Sequence, residues 1–184
     1  RALCCMLEVI DALDGLRISV GSTTHDLHFS TDAAGFGTSK DAAIGIYFDK
    51  QTYLRMTSRE LAAEYADAPP LDAAIAIFEA YAPVVALRRY PERLGGKLLG
   101  LTIDNPAAAA VLIKMRGPLP AGSGEQDGPL RAGLQAIAEQ LLVELSRLGS
   151  RFTFVDLVPG ERNQHADAVS RGDYDRLPKL PDKI

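Results

Sequence analysis

The chain has 184 residues, enough for one domain with a full core, and its 47% hydrophobic and 24% charged content is that of a soluble globular protein. A formal net charge of −4 excludes the strongly basic profile of a stand-alone nucleic-acid binder. The longest apolar runs, such as residues 107–113, are too short to span a bilayer, so no membrane association is expected.

Residues 3–16 carry Leu7, Ile10 and Leu13 near helical spacing and predict a short helix. Within it, Cys4 and Cys5 are adjacent and match no zinc or redox spacing. They read as free thiols in a reducing, intracellular compartment, cytoplasmic or nuclear. The first residue is Arg1, and the chain is read as a segment of a longer one, with residues 1–24 as a linker from a preceding region. Alternation then predicts strands over 27–31, 44–48 and 52–56, the last two joined by a turn at Asp49-Lys50-Gln51.

Residues 60–68 predict a helical turn or two, stopped by Pro69-Pro70. A helix follows from Asp72 through Ile75, Phe78, Val85 and Leu87, bent or restarted at Pro83. Gly95-Gly96 ends that unit. Residues 98–103 are a continuous apolar run of the kind buried on both faces of a sheet. Pro106 opens a helix over 107–115, and the Gly/Pro/Ser-rich stretch 118–129 predicts a mobile loop. Residues 130–148 are strongly periodic and close on Gly149; a last strand covers 152–158. The order fits an α/β domain with a mixed five-stranded sheet, three antiparallel strands followed by parallel ones, flanked by helices.

The segment Val158-Pro159-Gly160-Glu161-Arg162-Asn163-Gln164-His165-Ala166-Asp167-Ala168-Val169-Ser170-Arg171 carries the most specific wording. Pro-Gly ends the last strand, Asn163 stands where an N-cap belongs, and Asp167 falls on the first turn of the next helix. The wording resembles P-G-x-x-N-x-x-A-D-A-hydrophobic-S-R. That pattern ends the ribonuclease H domain following the polymerase in gypsy-like and DIRS-like retroelements. The resemblance covers roughly residues 27–171 and implies a ribonuclease H-like fold, a domain over 25–172 and a C-terminal tail over 173–184.

The resemblance also implies four metal-binding carboxylates in a fixed order, with Asp167 the last. Asp32 lies in Thr31-Asp32-Ala33-Ala34-Gly35-Phe36-Gly37, where a predicted strand ends; it is similar to the family's T-D-A-S-x-x-G-x-G, with Ala34 in place of Ser. Asp104, in Leu101-Thr102-Ile103-Asp104-Asn105, ends an apolar strand, where α/β sheets border their ligand crevice. The less favoured alternative is that Asp104 or Asn105 merely caps the helix at Pro106. For the second acid, Glu79 on the long helix is preferred over Glu60 and Glu64, because about 25 residues to Asp104 suit a helix, a turn and a strand.

Carboxylates of this kind suit magnesium, which prefers oxygen ligands, and histidine or cysteine clusters that would indicate softer metals are missing from the sequence. The expected cofactors are therefore two Mg2+ or Mn2+ ions, and the activity the resemblance implies is hydrolysis of the RNA strand of RNA–DNA hybrids. Backbone groups at Ala33, Ala34 and Gly35 and the Asn105 side chain are implied substrate contacts, with Lys114, Arg116, Arg162 and Arg171 as phosphate-gripping candidates. Arg88, Arg89 and Arg93 form a second basic group, and His165 is read as a surface residue. Partners would be the hybrid and an upstream reverse transcriptase polymerase domain in the same polyprotein, which would supply part of the grip that a net charge of −4 does not. A non-catalytic hybrid-binding connector of the same fold, and a nuclease or transposase of that fold acting on DNA, stay open as alternatives.

Overall fold

Three strands open the domain in the computed structural model, which describes residues 24–35, 41–114 and 128–179. β1 (Leu27–Gly35), β2 (Ala42–Asp49) and β3 (Thr52–Thr57) form an antiparallel meander. The β2–β3 turn is built by Asp49, whose Oδ1 accepts the amides of Gln51 at 2.9 Å and Thr52 at 2.8 Å. β1 does not end at Asp32 as the sequence predicts. It runs to Gly35, because Ala33, Ala34 and Gly35 pair in register with Ile44, Ala43 and Ala42 of β2. Cross-strand pairing overrides the weak strand propensity of Ala and Gly.

α1 (Ser58–Glu64) starts with a capping box: the Thr57 hydroxyl accepts from the Glu60 amide while the Glu60 carboxylate accepts from the Thr57 amide. α2 (Ile75–Arg89) starts three residues later than predicted and is unbroken at Pro83. Pro83 lacks an amide proton, so the carbonyl of Glu79, four residues back, loses its helical partner. The helix stays continuous because residues 77–87 are all buried, which holds it by tertiary contact. A short helix, α3 (Pro91–Leu94), leads into β4 (Leu98–Ile103). α4 (Pro106–Lys114) follows, then α5 (Gly128–Leu148). Gly128 and Pro129, assigned above to a loop, are the first turn of α5; the rest of that predicted loop through residue 127, from 118, lies outside the described residues. So do the predicted helix at 3–16, both cysteines and Arg116.

Gly149, at φ 64°, ends α5 in a left-handed turn in which the Ser150 amide donates to the Leu145 carbonyl. β5 (Arg151–Leu157) completes a sheet of order β3-β2-β1-β4-β5, with β1·β4 and β4·β5 parallel. A 3₁₀ turn at Gly160–Arg162 precedes α6 (Gln164–Arg171), and a second covers Tyr174–Lys179. Of the residues set apart above as a tail, Leu177 is buried against Ala168 and Val169.

Strand alternation places Phe29 and Ala33 of β1, Leu99, Leu101 and Ile103 of β4 and Phe152 of β5 in one core with α2 and α5. α6 packs on β1 and β2. Among the described residues no helix is long and apolar enough to cross a membrane.

Candidate metal centre

Asp32 is carried by β1, Asp104 immediately follows β4, and these two strands are parallel neighbours. Their carboxyl ends therefore open on one side, and α2 brings Glu79 to the same place. Asp32, Glu79 and Asp104 each offer a carboxylate oxygen, and these atoms lie within 4.8 Å of one another. Asp32 and Glu79 are each 6% exposed, and Asp104 is half-buried. Glu60 and Glu64 are elsewhere: Glu60 belongs to the α1 capping box, and Glu64 pairs with Arg89 at 3.2 Å.

Three carboxyls so close and so dry resist ionisation. Burial, then the charges of Asp32 and Asp104, pushes the Glu79 carboxyl up to about 8, against an opposing contact from the Asn105 amide. Burial also pushes Asp32 up to about 6; the Ser170 hydroxyl opposes this, and the charges of Asp104 and Asp167 add to it. Asp104 is raised chiefly by burial, with its neighbour Asn163 pulling the other way. Glu79 Oε2 and Asp104 Oδ1 are buried and accept no hydrogen bond. Buried oxygens are normally satisfied, so an acid group with two orphaned oxygens suits a hard cation.

Asp167 stands outside the tight group. Its Oδ1 accepts from Arg171 Nε at 2.5 Å and its Oδ2 from Arg176 Nη1 at 3.2 Å. It is still near enough that its charge acts on Asp32 and Asp104.

Asn105, offered above both as a cap and as a substrate contact, caps α4: its Oδ1 accepts the amides of Ala107 at 2.9 Å and Ala108 at 3.2 Å. Fixing Oδ1 in this way turns its amide toward Glu79. Ala33, Ala34 and Gly35 pair with β2 along one edge, whereas the β4 pairing stops at Ser30. Arg162 is exposed on its 3₁₀ turn, and Lys114 ends α4.

Four expectations change. His165 is not a surface residue; it is 3% exposed and stacks on Tyr47, with ring centroids 4.4 Å apart, because the first turn of α6 lies against β2. Asn163 occupies the N-cap position without a side-chain cap; its Nδ2 instead donates to the Thr31 carbonyl at 2.9 Å and ties α6 to β1. Arg88, Arg89 and Arg93 are no free basic group. Arg88 bonds Asp67 and Glu144, Arg89 bonds Glu64, and Arg93 bonds Asp49. Finally, Ser170 and Arg176 touch the acids and were not singled out. Ser170 lay inside the quoted wording; no local pattern marked Arg176.

Strand order and parallel pairing define a ribonuclease H-like fold, with a cluster of three carboxyls where β1, β4 and α2 meet. Solved structures of that fold are matched over nearly their whole length. RNase H1 from the halophilic archaeon Halobacterium salinarum NRC-1 is similar at TM-score 0.52 and 18% identity, over 81% of this chain and 97% of that one. LC11-RNase H1, isolated from compost by a metagenomic approach, gives TM-score 0.52 and 16% identity over 83% and 98%. The same LC11 enzyme in complex with an RNA/DNA hybrid gives 0.50 and 15% over 82% and 98%. At these identities the likeness is one of fold. No protein-family model and no curated protein matches the sequence.

Proposed function

We propose that this chain is the ribonuclease H domain of a retroelement polyprotein and hydrolyses the RNA strand of RNA–DNA hybrids. The observation that carries the reading is the group of Asp32 on β1, Glu79 on α2 and Asp104 just past β4, with its two orphaned oxygens, in a ribonuclease H-like fold. Asp32, Glu79, Asp104 and Asp167 would hold two Mg2+ or Mn2+ ions. When bound, such ions activate a water and stabilise the leaving oxygen of an in-line phosphodiester displacement.

The protein's own part is positional. β1 and β4 fix Asp32 and Asp104, α2 fixes Glu79, and the Asn105 cap orients the amide that faces Glu79. Ligand carboxylates must be ionised, so the raised Glu79 gives up its proton when the centre fills. Arg171 and Arg176 hold Asp167 beside the centre, and it would complete the set by moving toward it. The Ala33–Gly35 edge left unpaired by β4 supplies backbone groups for the hybrid, with Arg162, Lys114 and Arg116 as phosphate contacts. The retroelement setting, with a polymerase domain upstream, is supported by the residue 158–171 wording.

The test is Mg2+-dependent cleavage of a labelled RNA–DNA hybrid by the wild type and by Asp104→Asn. The wild type should cut the RNA strand, and the variant should lose nearly all activity while remaining folded. Cleavage of DNA alone, or equal cleavage by both proteins, would refute the reading. A non-catalytic hybrid-binding platform is the second reading, favoured by the two arginines that hold Asp167 off the tight acid group. It predicts hybrid binding without cleavage in the same assay.

A further inference from the structure

Ser170 is fully buried on α6, and its hydroxyl donates to Asp32 Oδ2 at 2.5 Å. A serine inside a helix commonly turns its proton back onto a carbonyl of the preceding turn, and the Asp167 carbonyl lies 3.0 Å away. The hydroxyl has one proton to give. The carboxylate, closer and charged, is the stronger acceptor.

Three features outside the quoted segment's own helix hold the hydroxyl there. The β2 residue opposite Asp32 is Gly45. A Cβ at Gly45 would lie 2.5 Å from both the Ser170 nitrogen and the Ala166 carbonyl oxygen, so the glycine is what lets the α6 backbone lie directly on the strand. From β3, Arg55 Nε donates to the Ser170 carbonyl at 3.0 Å. At the other end of α6, Asn163 is tied to the Thr31 carbonyl, one residue before Asp32. The helix is thus tied at its start to the strand that carries the acid and held at its end against β2 and β3.

We infer that Ser170 is a positioning residue for the metal centre: its hydroxyl fixes the rotation of the Asp32 carboxylate, with Gly45 and Arg55 holding the serine in place. This rests on reading Asp32 as a metal ligand. A carboxylate that must meet a cation in one orientation gains from a hydrogen bond on its far side, and loss of such a partner costs about 10–100-fold in metal affinity. Ser170 therefore acts through Asp32 and touches neither ion nor substrate. The A-D-A-V-S-R run then supplies an acid at Asp167 and, one turn on, the hydroxyl that orients a second acid on another element.

Mn2+ affinity of the full chain, read from the electron paramagnetic resonance signal of the free ion, tests this without any turnover. Wild type, Asp32→Asn, Ser170→Ala and the double variant make a cycle. Ser170→Ala should weaken Mn2+ binding by about tenfold. In the Asp32→Asn background the same change should cost little, because the group it orients is altered. Equal Mn2+ affinity for wild type and Asp32→Asn would remove the metal reading itself. A weakened Asp32→Asn beside a wild-type-like Ser170→Ala would overturn the positioning role alone. Equal losses from Ser170→Ala in both backgrounds would show a general structural role and overturn it as well. If Ser170→Ala does not fold, Arg55→Met enters the cycle in its place; it keeps the hydroxyl and removes its outer anchor. Absence of coupling to Asp32→Asn would again overturn the role.

Discussion

Glu79→Gln should flatten the pH dependence of stability of the metal-free protein between pH 5 and 8. Burial and the charges of Asp32 and Asp104 push the Glu79 carboxyl from an ordinary 4.5 up to about 8. In that window an unfolded glutamate is ionised while folded Glu79 keeps its proton. A group that binds its proton more tightly when folded stabilises the fold at low pH, and that contribution is lost as pH rises through the folded value. One proton of difference changes stability by about 1.4 kcal/mol per pH unit, which gives a ceiling of about 4 kcal/mol from pH 5 to 8. Asp32, pushed up to about 6, adds a smaller loss with the same sign at the lower end.

Other groups act differently. Asp67, lowered chiefly by Arg88, and Glu60, lowered by Thr57, have completed their contributions below pH 5. His28, lowered by burial, works in the opposite direction as pH rises toward 6.5. The variant keeps all three, so the difference between the two profiles isolates Glu79 and its coupling to the other acids. Urea denaturation in chelator at pH 5, 6, 7 and 8 is the assay. The variant should match wild type near pH 5 and exceed it by up to about 4 kcal/mol at pH 8, a difference of roughly 10 °C in melting temperature. Parallel profiles, or a wild type that gains on the variant as pH rises, would refute the argument that burial and like charge hold Glu79 protonated.

Gly45→Ala puts a methyl 2.5 Å from the backbone of α6 and should cost about 1–3 kcal/mol, measured by denaturation; a change under about 0.5 kcal/mol would show that α6 can shift freely. Arg88→Met removes the 2.7 Å partner of Asp67 and one of two arginines from buried Glu144, and should cost about 2–3 kcal/mol, less than a fully broken buried pair because Asp67 is half-exposed and Arg147 still bonds Glu144 at 2.8 Å. Joined to its proposed upstream polymerase, the domain should bind hybrid more tightly and with a steeper salt dependence than alone; equal affinities and slopes for the two proteins would show that this domain grips by itself.

Much of the acid centre was legible because each acid sits at a chemically marked place. Asp104 follows an apolar run, and Asp167 sits one turn after Asn163 in the segment that a strand-ending Pro-Gly opens. Glu79 had to be chosen among three glutamates by its distance from Asp104, and the fold places it, not Glu60 or Glu64, beside Asp32 and Asp104. What could not be read were effects of partners distant in sequence. β1 runs past Asp32 because β2 pairs with it, α2 passes through Pro83 because its whole middle is buried, and His165 is buried because Tyr47 lies beneath it. Gly45 gives no local sign of its role, since its requirement comes from a helix more than a hundred residues later.

Charge pairing gives the acidic composition a physical sense. Arg88, Arg89 and Arg93, the second basic group of a linear reading, each sit on a carboxylate of this chain. Arg88 does so between Asp67 and the buried Glu144 of α5, so moving it to meet a phosphate would break both pairs and leave Glu144 to Arg147 alone. Arg171 and Arg176 are likewise engaged, but by Asp167 at the edge of the centre. Their partner is the one acid of the proposed set that still has to join the others. If cations draw Asp167 inward, these two guanidiniums are released at the rim of the cleft, where a phosphate would lie. On the proposed reading, filling the centre and gripping the backbone would then be electrostatically coupled, which is how an acidic domain would strengthen its hold on an acidic substrate.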